Sequence, residues 1–158
     1  MSPRLRIAVL GIMVVAYPLV SAAQVPPNLA GTWIQNNAKS KADPGPLNRS
    51  STSRWDAAPG GGARNVVENV DSTGKATRTE LVTMFDGKPA ELKGAAMPTT
   101  RTYTRIDGGY QFVDRVNGKV TTTTRITFAP DGKSRTNVAT GTNAAGQRVN
   151  NITVWDRQ

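Results

Sequence analysis

The fold is decided by residues 110–128, which read YQFVDRVNGKVTTTTRITF. Tyr110 and Phe112 are separated by one polar residue, and apolar side chains recur at the same spacing near the end of the stretch. A period of two places one face of each segment on a core. Asn117-Gly118 in the middle favours the positive φ angles of a tight two-residue turn. The sequence therefore predicts two antiparallel strands joined at this turn.

Similar turn signals recur along the rest of the chain. Pairs such as Asp86-Gly87 separate short runs rich in Thr, Val, Ile, Tyr and Phe, and no stretch shows a convincing helical period. Regular turns between short strands of this composition are typical of an antiparallel all-β domain. We expect nine strands, at 30–36, 48–57, 64–71, 76–85, 99–107, 110–117, 119–128, 134–143 and 148–157.

Closure of these strands into a barrel is favoured over an open sheet. An open meander would leave two exposed edges whose unpaired backbone groups invite aggregation, whereas a closed barrel has no edges. A barrel of about eight strands is also wide enough to hold one small ligand when its interior side chains are not all large. The sequence therefore predicts an all-β fold, a single antiparallel meander that closes into a β-barrel of about eight to nine strands.

Residues 1–23 have the layout of a cleaved secretory signal. Two arginines precede an apolar run over 7–20, and the run ends at small residues up to Ala23. The run is shorter than the roughly 20 residues that span a bilayer, and no Cys follows it for lipid attachment. We expect cleavage between Ala23 and Gln24. The mature domain, 24–158, would then be a periplasmic or secreted protein without a transmembrane segment.

The chain is strongly basic, with 20 lysines and arginines against 11 aspartates and glutamates. Loss of the two arginines in the signal leaves 18 against 11, a net charge of +7 on the mature domain. Such a charge attracts anionic envelope polymers and lipid head groups. The basic residues are scattered singly, however, which is also typical of an ordinary solvated surface and gives no indication of specific nucleic-acid binding.

The amino-acid composition excludes most kinds of catalytic site. The chain contains no His and no Cys, so a Ser-His-Asp relay, a thiolate nucleophile and a His or Cys zinc site are impossible. Catalysis by a pair of carboxylates requires two acidic side chains that lie close together, and their spacing in the sequence does not indicate such a pair. Surface ion pairs explain the acidic residues equally well. We therefore expect a protein that is not an enzyme and has no cofactor and no metal. The carboxylates considered are Glu68, Glu80, Glu91 and Asp114.

Near its start the mature chain has Gly-Thr-Trp at 31–33 and Ala-Lys-Ser-Lys at 38–41. Near its end it has Gly-Thr-Asn-Ala-Ala-Gly-Gln at 141–147 and Val-Trp at 154–155. This order of motifs resembles a group of small secreted bacterial proteins of unknown function, and the resemblance covers nearly the whole mature domain. The group has no established activity, so the resemblance supplies no active site.

Gly31 and Trp33 also match the Gly-x-Trp that opens the first strand of lipocalins. In that family the last strand supplies an arginine that packs over the tryptophan. The resemblance implies a lipocalin-like barrel in which Arg157 or Arg148 makes a cation–π contact that seals one end. The alternative is that Trp33 is an ordinary buried strand aromatic.

A second set of residues is predicted to face the barrel lumen. Arginine in a barrel interior is costly unless it is paired or wet, so inward-facing arginines would mark a hydrated cavity suited to an anionic or polar ligand. The alternative is that the pleat turns them outward. The sequence thus favours a non-catalytic binder of a small polar or anionic molecule, and the alternative function is an envelope protein that uses its basic outer surface. The candidate lumen residues are Arg101, Tyr103, Arg105, Arg135 and Asn137.

Overall fold

The computed structural model describes residues 25–158. The predicted signal segment and its cleavage site at Ala23 and Gln24 lie outside the described residues. Within 25–158, no helix is both long and apolar enough to cross a membrane. One short 3₁₀ helix, Asn37–Lys39, follows the first strand. The strands are β1 (Gly31–Gln35), β2 (Ser50–Ala57), β3 (Ala63–Val70), β4 (Ala76–Thr83), β5 (Pro89–Glu91), β6 (Thr99–Ile106), β7 (Gly109–Val116), β8 (Lys119–Phe128), β9 (Ser134–Thr142) and β10 (Arg148–Arg157).

The ten strands form one antiparallel sheet that curls into a nearly closed barrel. Every strand pairs with its neighbours in sequence except across the β4–β5 seam, and β1 pairs with β10. The seam is joined by a single bridge, in which the backbone amides and carbonyls of Glu80 and Lys93 exchange hydrogen bonds of 2.9 and 2.8 Å. The predicted all-β antiparallel barrel is confirmed.

Residues 25–158 contain ten strands, whereas the sequence predicted about eight to nine. Nine strands lie within two residues of their predicted positions, and the additional one is β5. This strand has only three residues and begins with Pro89, which has no amide to donate to a ladder. So short a segment has no alternation from which a strand is predicted.

The hairpin at residues 110–128 forms as its sequence requires. Asn117 and Gly118 have φ angles of 49° and 77°, the left-handed values of a tight hairpin turn. Tyr110, Phe112 and Ile126 point inward and are buried. The alternation of this hairpin therefore places its apolar face on the barrel core.

The packed core occupies one end of the barrel, where β1 begins and β10 ends; we call this the closed end. Residues 25–30 lie against it, and Leu29 is fully buried there. Trp55 and Tyr103 meet edge to face with ring centroids 5.5 Å apart. Phe85 fills the space beside them, 5.9 Å from Trp55 and 5.5 Å from Tyr103. The opposite end, which carries the turn at Asn117, is the open end.

Candidate functional site

The half of the barrel toward the open end contains a cavity of about 340 Å³. One of its walls is built of amides and hydroxyls from β2 and β3. The Asn65 side-chain amide donates to Ser53 Oγ and to the Arg54 carbonyl, both at 3.0 Å. The Asn48 amide donates to Ser51 Oγ at 3.1 Å. Because these groups are bonded to one another, they form a fixed polar lining.

The facing wall carries a largely buried ion pair, whose two side chains are 15% and 16% exposed. Arg101 donates to both carboxylate oxygens of Asp114, from Nε at 2.6 Å and from Nη2 at 2.8 Å. Its guanidinium carbon also lies 3.9 Å from the Phe112 ring centroid. Burial alone would lower the pKa of Arg101, but the two hydrogen bonds to Asp114 and the charge of that carboxylate counteract it, and the pKa is held above its ordinary value. The charge of Arg101 is therefore balanced within the protein.

Arg135 on β9 is a second cavity arginine, and its charge is not balanced. Its side chain is 3% exposed, and its Nε and Nη1 have no hydrogen-bond partner. The guanidinium carbon lies 4.8 Å from the Trp33 ring centroid and 5.2 Å from that of Trp155. Burial lowers the pKa of Arg135 to about 10, so it remains cationic at neutral pH. A buried cation without an anionic partner is costly, and it is the least ordinary feature of the barrel.

Three further polar residues line the cavity beside Arg135. Trp55 Nε1 is a buried donor and Asn137 Oδ1 is a buried acceptor, and neither has a hydrogen-bond partner. The Tyr103 hydroxyl accepts a long hydrogen bond of 3.5 Å from Arg101. Burial raises the pKa of Tyr103, which keeps the phenol neutral and able to donate its proton. The cavity is therefore lined by a cation and by the neutral polar residues Trp55, Tyr103 and Asn137.

The structure brings four of the five candidate lumen residues together. Arg101, Tyr103, Arg135 and Asn137 line the same cavity. Arg105 is placed elsewhere: it shares the inward face of β6 with Tyr103, but it lies at the strand end nearest the closed end and is exposed. Its guanidinium carbon lies 5.8 Å from the Tyr110 ring centroid. The packed aromatic core therefore separates Arg105 from the cavity.

The barrel-end residues meet at the closed end. Trp33 lies opposite Arg157 in the β1–β10 register, and the Arg157 guanidinium carbon is 4.6 Å from the Trp33 ring centroid. Arg157 also donates to the backbone carbonyl of Asn28 at 2.7 Å. Gly31 begins β1 with a φ of 97°, in the region that favours glycine. Arg148, the other arginine considered for this contact, is exposed at the open end.

The polar wall on β2 was missed at the sequence level. Ser51, Ser53 and Trp55 are all at least 98% buried, and they alternate with more exposed neighbours. The two-residue alternation of a strand with one inward face was therefore present in the sequence. A serine does not by itself show whether it lies on the inward or the outward face of the strand.

Among residues 25–158, no group of three His, Cys, Asp or Glu side chains is placed to hold a metal ion. Three of the carboxylates considered for catalysis are in ion pairs. Asp114 is bound to Arg101, and Glu80 accepts from Arg64 at 2.8 and 2.9 Å. Glu68 lies 3.4 Å from Arg78.

The fold is a lipocalin-like antiparallel barrel that encloses a cavity. A solved structure of a variant of the fluorescent protein UnaG is similar to this chain, with a TM-score of 0.52 and 13% sequence identity. The similarity covers 83% of this chain and 96% of that one, and at this identity it shows the fold alone. No protein-family model matches the sequence. No curated protein is significantly similar to it.

Proposed function

We propose that the mature domain is a non-catalytic binding protein of the periplasm or the medium, which holds a small anionic ligand in its barrel cavity. The observation that carries the proposal is the buried, unpaired guanidinium of Arg135 at the cavity wall. Folding has removed this cation from water and placed it between two tryptophan rings without giving it an anionic partner. A ligand carboxylate in the cavity would supply the negative charge that it lacks.

The cavity has the polarity that such a ligand needs. Its lining includes Arg101 and Arg135 but no carboxylate side chain, and Asp114 beside it is occupied by Arg101. Its electrostatic field therefore favours an anion. The neutral phenol of Tyr103 lines the same cavity as Arg135, so it adds a donor to the cavity wall.

The alternative, an envelope protein that works through its basic outer surface, has less support. Every arginine on β2, β3 and β4 is within 3.4 Å of a carboxylate, in the pairs Arg54–Asp56, Arg64–Glu80 and Arg78–Glu68. This part of the outer surface is therefore locally neutralised. Ion pairs of this kind reduce the attraction for a polyanion, which requires free basic groups.

Native mass spectrometry tests the proposal directly. The protein is purified from its own producer and weighed under native and denaturing conditions. We expect an additional mass that is lost on denaturation and that is absent from Arg135→Met. The control is Arg148→Met, which removes the same charge from an exposed position at the open end and should keep the additional mass.

A bare native mass would not end the test, because a weakly held ligand is lost during purification. The second measurement is the melting temperature in the presence of small carboxylates and of matched neutral amides. Stabilisation by carboxylates that requires Arg135 supports the proposal. A bare mass together with no carboxylate-dependent stabilisation overturns it. The first residue of the exported protein, expected at Gln24, tests its secretion separately.

A further inference from the structure

The charged side chains of the barrel are distributed unevenly between its two ends. The loops of the open end, taken with the strand residues that flank them, carry seven lysines and arginines against three acidic residues, a net charge of +4. The closed end, counted in the same way, carries three of each and has no net charge. The basic residues of the open end are Lys39, Lys41, Arg49, Lys75, Lys93, Lys119 and Arg148.

The basic side chains of the open end are not neutralised by the protein. All seven are exposed, and within residues 25–158 none of them forms an ion pair. Asp71, an acidic residue of the same end, is engaged by its own turn, where it accepts from the Thr73 hydroxyl at 2.6 Å and from the Lys75 amide at 3.0 Å. At the closed end, by contrast, Lys88 is paired with Asp86 at 3.3 Å. The barrel therefore attracts anions most strongly at its open end.

Exposed apolar side chains accompany these cations. Met97 and Val120 are 40% and 51% exposed, and they line one groove at the open end together with Lys119. Val82 and Met84, near the closed end, are both 45% exposed, but they lie in a region without net charge. The open end therefore combines unpaired cations with exposed apolar groups.

This combination of groups fits the surface of an anionic lipid bilayer. The head groups of such a bilayer spread negative charge over a plane, so cations around the mouth of a barrel contact them together. Apolar side chains beside the cations enter the boundary between head groups and acyl chains, and the affinity rises with the apolar area that is buried there. A soluble polyanion supplies the charge but no apolar phase, and it leaves Met97 and Val120 in water.

We propose that the open end of the barrel docks on an anionic lipid bilayer, with its basic residues at the head groups and with Met97 and Val120 at the boundary with the acyl chains. The cavity occupies the half of the barrel nearest this end, so docking places the cavity beside the membrane. The docking surface is separate from the cavity wall, and it does not depend on the ligand that the cavity holds.

Co-sedimentation with lipid vesicles tests the proposal. The purified protein is titrated with vesicles of phosphatidylcholine alone and with vesicles in which about a third of the lipid is phosphatidylglycerol. We expect binding to the anionic vesicles only. This binding should be lost at about 1 M salt, where the Debye length falls to about 3 Å. Equal binding to both kinds of vesicle, or binding to neither, overturns the proposal.

Two double variants locate the charge that binds the vesicles. Lys75→Gln with Lys119→Gln removes two cations from different turns of the open end, and it should weaken binding to the anionic vesicles about tenfold or more. The matched control is Lys88→Gln with Lys133→Gln, which removes two cations from the closed end and should bind as the wild-type protein does. Equal losses of affinity in the two double variants would show that net charge, and not the open end, determines binding.

A second pair of double variants distinguishes a bilayer from a soluble polyanion. Met97→Ser with Val120→Ser should weaken vesicle binding about fivefold or more. The same variant should keep its retention on a dextran sulfate column. Val82→Ser with Met84→Ser is the matched control, because it makes the same replacements at side chains of similar exposure near the closed end, and it should keep both kinds of binding. Unchanged vesicle binding by the Met97 and Val120 variant overturns the bilayer as the partner and favours a polyanion.

The cavity variant separates docking from the proposed function. Arg135→Met should lose the cavity ligand but keep vesicle binding, because the Arg135 side chain is 3% exposed and does not reach the head groups. Loss of vesicle binding in this variant would show that the cavity, and not the open end, holds the lipid, and it would overturn the proposal. Circular dichroism verifies that each variant is folded.

Discussion

Trp33 and Arg157 are cross-strand partners that join the first strand of the barrel to the last. The guanidinium carbon of Arg157 lies 4.6 Å from the Trp33 ring centroid, and its Nη2 donates to the carbonyls of Asn28 and Pro27 at 2.7 and 3.2 Å. Trp33 in turn donates to the Leu29 carbonyl at 2.8 Å. One arginine therefore holds the segment at 25–30 against the closed end of the barrel.

Arg157→Met should lower the free energy of unfolding by about 1 to 2 kcal/mol. The variant keeps an apolar stem over Trp33 but loses the cation–π attraction and the hydrogen bonds to the two carbonyls. Urea denaturation followed by tryptophan fluorescence measures the change. Arg148→Met serves as the control, and equal stabilities for the two variants would show that the contact contributes nothing.

Arg135→Met should have the opposite effect on the ligand-free protein. Because the guanidinium is buried without a hydrogen-bond partner for Nε and Nη1, its replacement by an apolar side chain of similar length removes a desolvation cost. We expect the free energy of unfolding to rise by about 1 kcal/mol or more. The same variant should lose anion binding. A loss of stability in the ligand-free protein would indicate that Arg135 has a structural role instead.

The sequence predicted most of the barrel because its turns are marked locally. Gly118 and the other turn glycines delimit nine strands, whereas β5 at Pro89–Glu91 has too few residues to show a period. The site was less accessible to such reasoning. Alternation places Arg101, Tyr103 and Arg105 on one face of β6, but only the closed barrel determines which of them lies beside the cavity and which at the closed end. The position of a side chain along the barrel axis depends on how all the strands pack together, so it cannot be predicted from the alternation within one strand.

Asp114→Ala should be among the most destabilising substitutions outside the aromatic core. It leaves Arg101 buried without its bidentate partner, and breaking a buried pair in this way costs about 3 to 5 kcal/mol. The side chains of the two residues are only 15% and 16% exposed, so solvent screening is small. The matched control is Asp56→Ala, which breaks the exposed pair with Arg54.

For Asp56→Ala we expect a loss below about 1 kcal/mol, because the Arg54 side chain is 65% exposed and the ion pair is screened by water. Chemical denaturation of the two variants under identical conditions gives the comparison. Similar losses for Asp114→Ala and Asp56→Ala would show that burial does not distinguish the two ion pairs.

The β4–β5 seam should weaken in acid through Glu80. Its side chain accepts two hydrogen bonds from Arg64, and this interaction, outweighing desolvation, lowers the pKa of Glu80 below its ordinary value of 4.5. A carboxyl whose pKa is lowered by folding contributes stability above its unfolded value, and loses that contribution as pH falls through the folded value. Glu80 is also the residue whose backbone bridges the seam to Lys93.

Hydrogen exchange of the Glu80 and Lys93 amides measures the opening of this seam. Between neutral pH and pH 5 we expect their protection to be constant after correction for intrinsic exchange rates, and below the ordinary pKa of 4.5 it should fall. Glu80→Gln should have low protection at every pH, because its neutral amide cannot replace the charged pair with Arg64. The exposed Glu68, 3.4 Å from Arg78, provides the control variant Glu68→Gln, which should keep the wild-type profile. If the protection of these two amides in the wild-type protein did not change with pH, the backbone bridge alone would hold β4 to β5.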